Sequence, residues 1–295
     1  FKELVGLTPF GLVGSDNFKK ELSINIIFTV LIFLASYYLY VLTGDFLQWT
    51  AFGIGVYVIC NWIHGLKNRD PVAFLLIFKS KALLLGLLSF PFITFVTYAL
   101  GAFGPSFYIR NFSMTATEVG IIYGLITVFG SMIGVICGGI LGDKLRETYV
   151  NGKLYLIMAS AVLTGVTAIG FIHSENLVAS FTWKFVYHIA STAWLGCAAS
   201  TVTELVLPRL RAVASAFFIL MLSMIGLALG PYLTGMVSDI YINSGLLPGP
   251  ALKNAMTLTL LGLVLPLGLL AVACKYLKND EAEIYEKARS LGEEI

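Results

Sequence analysis

The sequence predicts an all-α, polytopic membrane bundle, and three observations carry that expectation. The first is composition. Of 295 residues, 58% are hydrophobic and 12% charged, with a mean hydropathy of +0.86, whereas soluble domains carry about 25% charged residues. The second is a series of eight apolar segments near or above the roughly 20 residues that a membrane-crossing helix needs. The third is the placement of the 19 Lys and Arg residues. With alternate connections assigned to one side, all fall there except Arg110, Lys253 and the intramembrane Lys184. That bias predicts that both termini face the cytoplasm, as in a multi-pass protein of a bacterial inner (plasma) membrane.

The segments follow in order. Leu22–Thr43 and Leu47–His64 form a hairpin around Gly44-Asp45-Phe46, and Ala82–Phe103, Val119–Leu141 and Leu154–Ile172 come next. Leu177–Glu204 stops before Pro208, which lacks an N–H and restricts the residue ahead of it. Val213–Val237 and Ala255–Tyr276 complete the set, and a charged surface helix closes the chain from Asp280. The expected division is 1–66, a cytoplasmic leader and two spans; 67–279, a six-span part; and 280–295, a cytoplasmic tail.

Several function classes are excluded. A net charge of +2 gives no reason to expect nucleic acid. Cys60, Cys137, Cys197 and Cys274 lie in apolar segments without a C-x-x-C, as small buried hydrophobes do. His64, His173 and His188 fall on separate segments, and no nucleophile motif or phosphate loop is present. No catalytic residue, cofactor or metal is expected, and the protein is not expected to be an enzyme. The opening Phe1-Lys2-Glu3, with neither an initiator Met nor a signal pattern, predicts a piece of a longer protein.

Gly130, Gly134, Gly138 and Gly142 recur every fourth residue and line one helix face, which lets another helix approach almost backbone to backbone. Such ladders serve static packing in any bundle, or a movable seam. Asp143, Lys144 and Arg146 follow at once and are expected in a loop at the membrane surface, with Asp143 directed at the positive end of a neighbouring helix. Gly226-x3-Gly230 echoes the ladder three spans later, as inverted repeats do.

At this point the sequence resembles a family. Gly139-Ile140-Leu141-Gly142-Asp143-Lys144 is similar to the G-x-L-[AG]-D-[RK] loop signature of the major facilitator superfamily, although Leu145-Arg146-Glu147 replaces the usual trailing glycine and basic pair. Trp194 to Glu204, Pro208, Arg211 and Gly226-x3-Gly230-Pro231 resemble the tenth and eleventh helices of spinster-like transporters, where an arginine opens helix eleven. Ala102 to Arg110, with Ala116 to Gly120, resembles the outer end of helix seven and the start of helix eight. The resemblance covers Ala82 to Tyr276, the C-terminal six-helix half. Leu22–His64 reads as two extra spans ahead of it, or as divergent fifth and sixth helices. The resemblance implies a secondary carrier moving a small organic or lipid-like solute by alternating access, coupled to protons, with the N-terminal six-helix half as the missing partner. It also implies that the ladder faces helix five of that half, that both glycine faces are sliding seams, and that this sequence alone does not transport.

Lys184 and His188 are four residues apart and share a helix face. Charge within a bilayer faces a cavity or a partner, and the resemblance places this helix at the central cavity, which suits an anionic headgroup or proton movement. Alternatively, Lys184 snorkels to the outer interface near Trp183. Glu204, with Arg209 and Arg211, makes either an inner-gate salt bridge or a solvated pair. Gly230-Pro231 predicts a bend and resembles the G-P kink of antiporters. Tyr98 and Tyr108 either touch substrate or belong to an interfacial belt. Two other functions stay open: a non-transporting membrane scaffold or accessory subunit, and a lipid-directed enzyme for which the sequence offers no catalytic cluster.

Overall fold

The computed structural model describes residues 18–290, and every regular element among them is helical. The leader through residue 17 and the last five residues lie outside the described residues. The chain parts into two compact units, one built on the first helices as far as Ile77, the other Phe78–Lys287.

In the first unit, α1 (Phe18–Thr43) and α2 (Phe46–Arg69) form the expected hairpin. Gly44 adopts φ +80°, and its N–H closes α1 by bonding the Tyr40 carbonyl at 2.7 Å; only glycine enters this region without a Cβ penalty. The two helices are joined by a buried amide pair, Asn25 Nδ2 donating to Asn61 Oδ1 at 2.5 Å. The stretch after α2, read as a plain connection, carries a further helix, α3 (Pro71–Lys79). Asp70 Oδ1 caps it by accepting from Ala73 N at 2.8 Å, and Pro71 occupies the first position, where a missing N–H costs nothing.

The second unit holds the six remaining spans. α4 (Lys81–Phe112), α5 (Ala116–Thr148) and α6 (Gly152–His173) are continuous. The next span is α7 (Leu177–Thr192) and α8 (Trp194–Glu204), joined through Ala193, which keeps helical dihedrals. Ser191 and Thr192 both turn their hydroxyls back onto the His188 carbonyl, at 3.4 and 2.8 Å, a bond that perturbs the helical ladder. Among the described residues, seven helical stretches are long and apolar enough to cross a membrane, two of them containing a π or 3-10 turn; the α7–α8 rod is the eighth of the expected segments. α9 (Arg211–Met221) passes through a π turn, Leu222–Leu227, into α10 (Ala228–Asn243). Pro231 has no N–H to offer the Leu227 carbonyl, and the wide turn just before it takes up the mismatch. α11 (Pro248–Thr259) and α12 (Val264–Ala273) are joined by a 3-10 turn, and α13 (Leu277–Ser290) is the charged tail helix.

The helices α5, α6 and α7 pack on one another, while α4 packs on the α9–α10 and α11–α12 rods. Phe90, Phe107, Tyr108, Phe171, Tyr187 and Trp194 fill the core, and Ile121, Leu125, Val128, Phe129 and Ile136 of α5 stay exposed on an apolar outer surface. Apolar surface of that extent suits contact with lipid or with another protein.

Two expectations need correction. Asp143, Lys144 and Arg146 are not in a loop, because α5 continues to Thr148. Lys, Arg and Glu are good helix formers, so a change from apolar to charged marks where a helix leaves an apolar environment, not where it ends. Nor does the glycine ladder wait for an absent helix. A Cβ added at Gly130 would come within 2.7 Å of the His188 Cβ, and one at Gly134 or Gly138 would strike the backbone of Ile189 or Ala193. Gly142 meets Cys197 in the same way, whereas Gly139 has open space beside it. The ladder is therefore a seam between α5 and the α7–α8 rod of the same unit. Gly226 and Gly230 likewise lie against Thr94 and Phe95 of α4.

Candidate functional site

Asn176 caps α7 by accepting from Val178 N and Ala179 N at 2.8 and 3.2 Å. The helix then turns Ser180, Lys184, Tyr187, His188 and Ser191 inward at three- and four-residue spacing. Lys184 has no exposed surface. Its ammonium is enclosed by aromatic rings from three helices, 4.1 Å from the Phe171 centroid on α6, 4.3 Å from Tyr187 on α7 and 5.0 Å from Tyr123 on α5. Nζ makes no hydrogen bond and no ion pair among the described residues. Lys184 therefore neither snorkels nor reaches the surface of its unit, and direct contact with a solute headgroup is not available to it in this arrangement. A desolvated cation over an aromatic face gains about 2 kcal/mol, so the rings offset part of the cost of burying an unpaired charge.

His188 stands one turn on. Its Nε2 lies 3.0 Å from Thr127 Oγ1 on α5. The Thr127 hydroxyl gives its hydrogen to the Tyr123 carbonyl at 2.8 Å. Nε2 then carries a hydrogen and donates it to Thr127. The Tyr123 ring meets His188 edge-on at 5.9 Å and Tyr108 at 6.2 Å. Tyr108 Oη in turn lies 3.0 Å from Ser180 Oγ. One connected cluster thus reaches α4, α5, α6 and α7. The sequence marks Lys184, His188 and Tyr108 but not Tyr123, Thr127, Phe171, Ser180 or Tyr187. The available signal was that Tyr123, Thr127, Gly130 and Gly134 share one face of α5, the face that meets α7.

The other candidates lie elsewhere. Tyr98 is exposed on α4. Arg211 opens α9 and is exposed. Glu204 accepts a close hydrogen bond from Lys153 Nζ, with Asp143 3.9 Å from the same ammonium. The basic partner that the geometry gives Glu204 is thus Lys153 at the start of α6, where Arg209 or Arg211 was expected. Arg146 reaches Glu281 of α13 at 2.5 Å. The neighbouring Asp280 accepts from Ser80 Oγ and Ala82 N, at 3.0 and 2.8 Å, at the N-terminus of α4. Of the charged residues after the ladder, Arg146 therefore pairs with the tail helix and Asp143 lies beside Lys153 of α6.

This bundle can be set beside known proteins. An MFS-type efflux pump of Mycolicibacterium smegmatis is 30% identical over 201 residues, 67% of this chain and 45% of the pump. The homologues of this chain are transporters of the major facilitator type. The protein spinster of Drosophila melanogaster is 26% identical over 173 residues, covering 55% of this chain and 28% of that protein. Spinster homolog 1 of Bos taurus is 25% identical over 177 residues, with 55% and 33% covered. Crystal structures of a bacterial homologue of the human lysosomal transporter spinster match the fold. The inward-facing, unoccupied form superposes with a TM-score of 0.56 at 21% identity, over 82% of this chain and 59% of that one. The occupied form gives 0.54 at 22%. The chain spans about half the length or less of the curated relatives it matches. No protein-family model matches it. The architecture is an all-α membrane bundle that matches the fold of these transporter structures, and the relatives are transporters, not enzymes.

Proposed function

We propose that this chain is part of a secondary carrier that moves a small organic or lipid-like solute by alternating access, coupled to protons in the manner of an antiporter. Lys184 and His188 are its proton-responsive element. The observation that carries this reading is Lys184 itself, an amine buried without anion or hydrogen bond at the meeting of three spans. Intramembrane ionisable groups are expensive and are retained where they work. The titratable groups facing it are Tyr123 from α5 and Tyr187 and His188 from α7, with Tyr108 of α4 behind Tyr123; α6 presents Phe171. A change of charge at Nζ would act on the packing of α5, α6 and α7 rather than on the solute. The remaining half of the carrier would supply the second wall of the solute site.

The decisive measurement is solute flux in proteoliposomes holding the complete transporter, with and without a pH gradient. Lys184→Met should keep gradient-independent exchange and lose stimulation by the gradient. Equal stimulation in the variant and the parent would overturn the assignment. The glycine seams also suit a second reading, a scaffold subunit, because they complete the packing of the six-span unit from within; absence of any flux from the complete assembly would favour it.

A further inference from the structure

A groove of about 640 Å³ runs along the α1–α2 hairpin, within the size range of small-molecule sites. Its two ends differ in chemistry. Towards the hairpin turn it is walled by a succession of aromatic rings. Phe33 and Tyr37 stack at 6.3 Å, Tyr37 and Tyr40 follow at 6.2 Å, and Tyr40 meets Phe46 at 5.7 Å. Towards the start of α1 it is lined by Asn25, Thr29 and Tyr57. None of its lining residues is charged.

The hydrogen bonds at the polar end define what it can still take. Tyr57 gives its hydroxyl hydrogen to Asn25 Oδ1 at 2.9 Å, and Thr29 gives its own to the Asn25 carbonyl at 2.9 Å. Both oxygens then have only acceptor lone pairs to offer. Asn25 Nδ2 uses one hydrogen on Asn61 and keeps the other. Two acceptors beside one donor suit a hydroxyl group, which donates once and accepts once. A carboxylate or phosphate would meet two acceptor oxygens with one donor to answer them, and an ammonium would bring a charge that no groove residue balances. The aromatic wall adds the second criterion. A flat ring system can lie face to edge along successive rings, whereas a mobile acyl chain loses rotamer freedom to gain the same contact.

We infer that the hairpin groove is a binding site for an uncharged, flat polycyclic alcohol, with its hydroxyl at Thr29 and Tyr57 and its rings along Phe33, Tyr37 and Tyr40. The test is photolabelling of the full chain in phosphatidylcholine nanodiscs with a diazirine-bearing cholesterol analogue, read out by peptide mass spectrometry. Labelling should saturate and map to residues 25–57. Thr50→Trp, which places an indole in the groove from an exposed position, should lower it at least tenfold. Tyr57→Phe should weaken binding severalfold while keeping the ring. Non-saturating labelling, an undiminished signal in Thr50→Trp, or equal labelling of the same peptides by a diazirine fatty acid would overturn the site. So would capture of a second copy by a Thr50→Cys cross-link that excludes the probe, since a protein segment would then be the occupant. If Tyr57→Phe does not fold, Thr50→Trp alone decides the matter.

Discussion

Gly138 and Gly139 are neighbours in one helix, and the same substitution at each should move stability in opposite directions. A Cβ at Gly138 would lie 2.6 Å from both the carbonyl carbon and the Cα of Ala193, and closer still to the Ala193 oxygen. Ordinary contact begins at 3.4 Å, so α5 and the α7–α8 rod must separate by about 1 Å, because backbone cannot rotate aside as a side chain can. Overpacking of this kind costs about 1–3 kcal/mol. Separating the helices also loosens the contacts at Gly134 and Gly142 above and below, which places the expected loss near the upper end. Gly139 has nothing within 4 Å, and there Ala should stabilise the helix by about 0.5–1 kcal/mol through backbone entropy alone. At about 2–4 °C per kcal/mol for a domain of this size, Gly138→Ala should lower Tm by roughly 4–10 °C in detergent, and Gly139→Ala should leave it unchanged or raise it by a few degrees. Indistinguishable Tm values for the two variants would refute the seam between α5 and α7–α8.

Further expectations rest on single contacts. Glu204→Gln leaves the buried Lys153 ammonium without its close anionic partner and should cost about 1–2 kcal/mol. Lys153→Met in the same protein should recover part of that loss, as a double-mutant cycle on thermal unfolding would report. Arg146 and Glu281 are both partly exposed, so their pair should contribute no more than about 0.5 kcal/mol and should fade in high salt; the same cycle at two ionic strengths checks it. Asn25→Leu removes the donor to Asn61 Oδ1 between two buried amides and should destabilise the α1–α2 hairpin by about 1 kcal/mol, by helix-association measurements in bilayers.

How much of this was legible in the sequence depended on whether the signal was local. Apolar length and the side on which Lys and Arg fall need no tertiary information, so the membrane bundle and its spans could be read directly. The ladder from Gly130 to Gly142 was equally legible as a close-packing face. Its partner was not, because glycine spacing states how near another helix can come and nothing about which helix comes. The tail pairs Arg146–Glu281 and Asp280 with the start of α4 join residues more than a hundred positions apart, beyond the reach of any periodicity. The aromatic enclosure of Lys184 was hidden differently. Tyr123, Phe171 and Tyr187 each look like ordinary core residues within an apolar span, and only their convergence on one ammonium gives them a chemical role.

The position of the seams constrains the proposed alternating-access motion. The ladder repeats every four residues, about 6 Å along the helix axis. A shear of α5 against the α7–α8 rod by less than one such step would move the glycines off the backbone of Ile189 and Ala193, which only a glycine can approach so closely. Interfaces of this kind resist small displacements and permit only a full re-registration, which would also break the His188–Thr127 bond and the ring enclosure of Lys184. Gly226 and Gly230 hold the π-turn region and α10 against α4 under the same restriction. The movement of a carrier built on this unit should therefore be rigid-body rocking of the whole six-span unit, with sliding confined to surfaces that lack glycine. Cysteine cross-links across the ladder, Ser131→Cys with Thr192→Cys for example, should leave transport by the complete carrier intact. Loss of transport on cross-linking, restored by reduction, would return the ladder to the role of a moving seam.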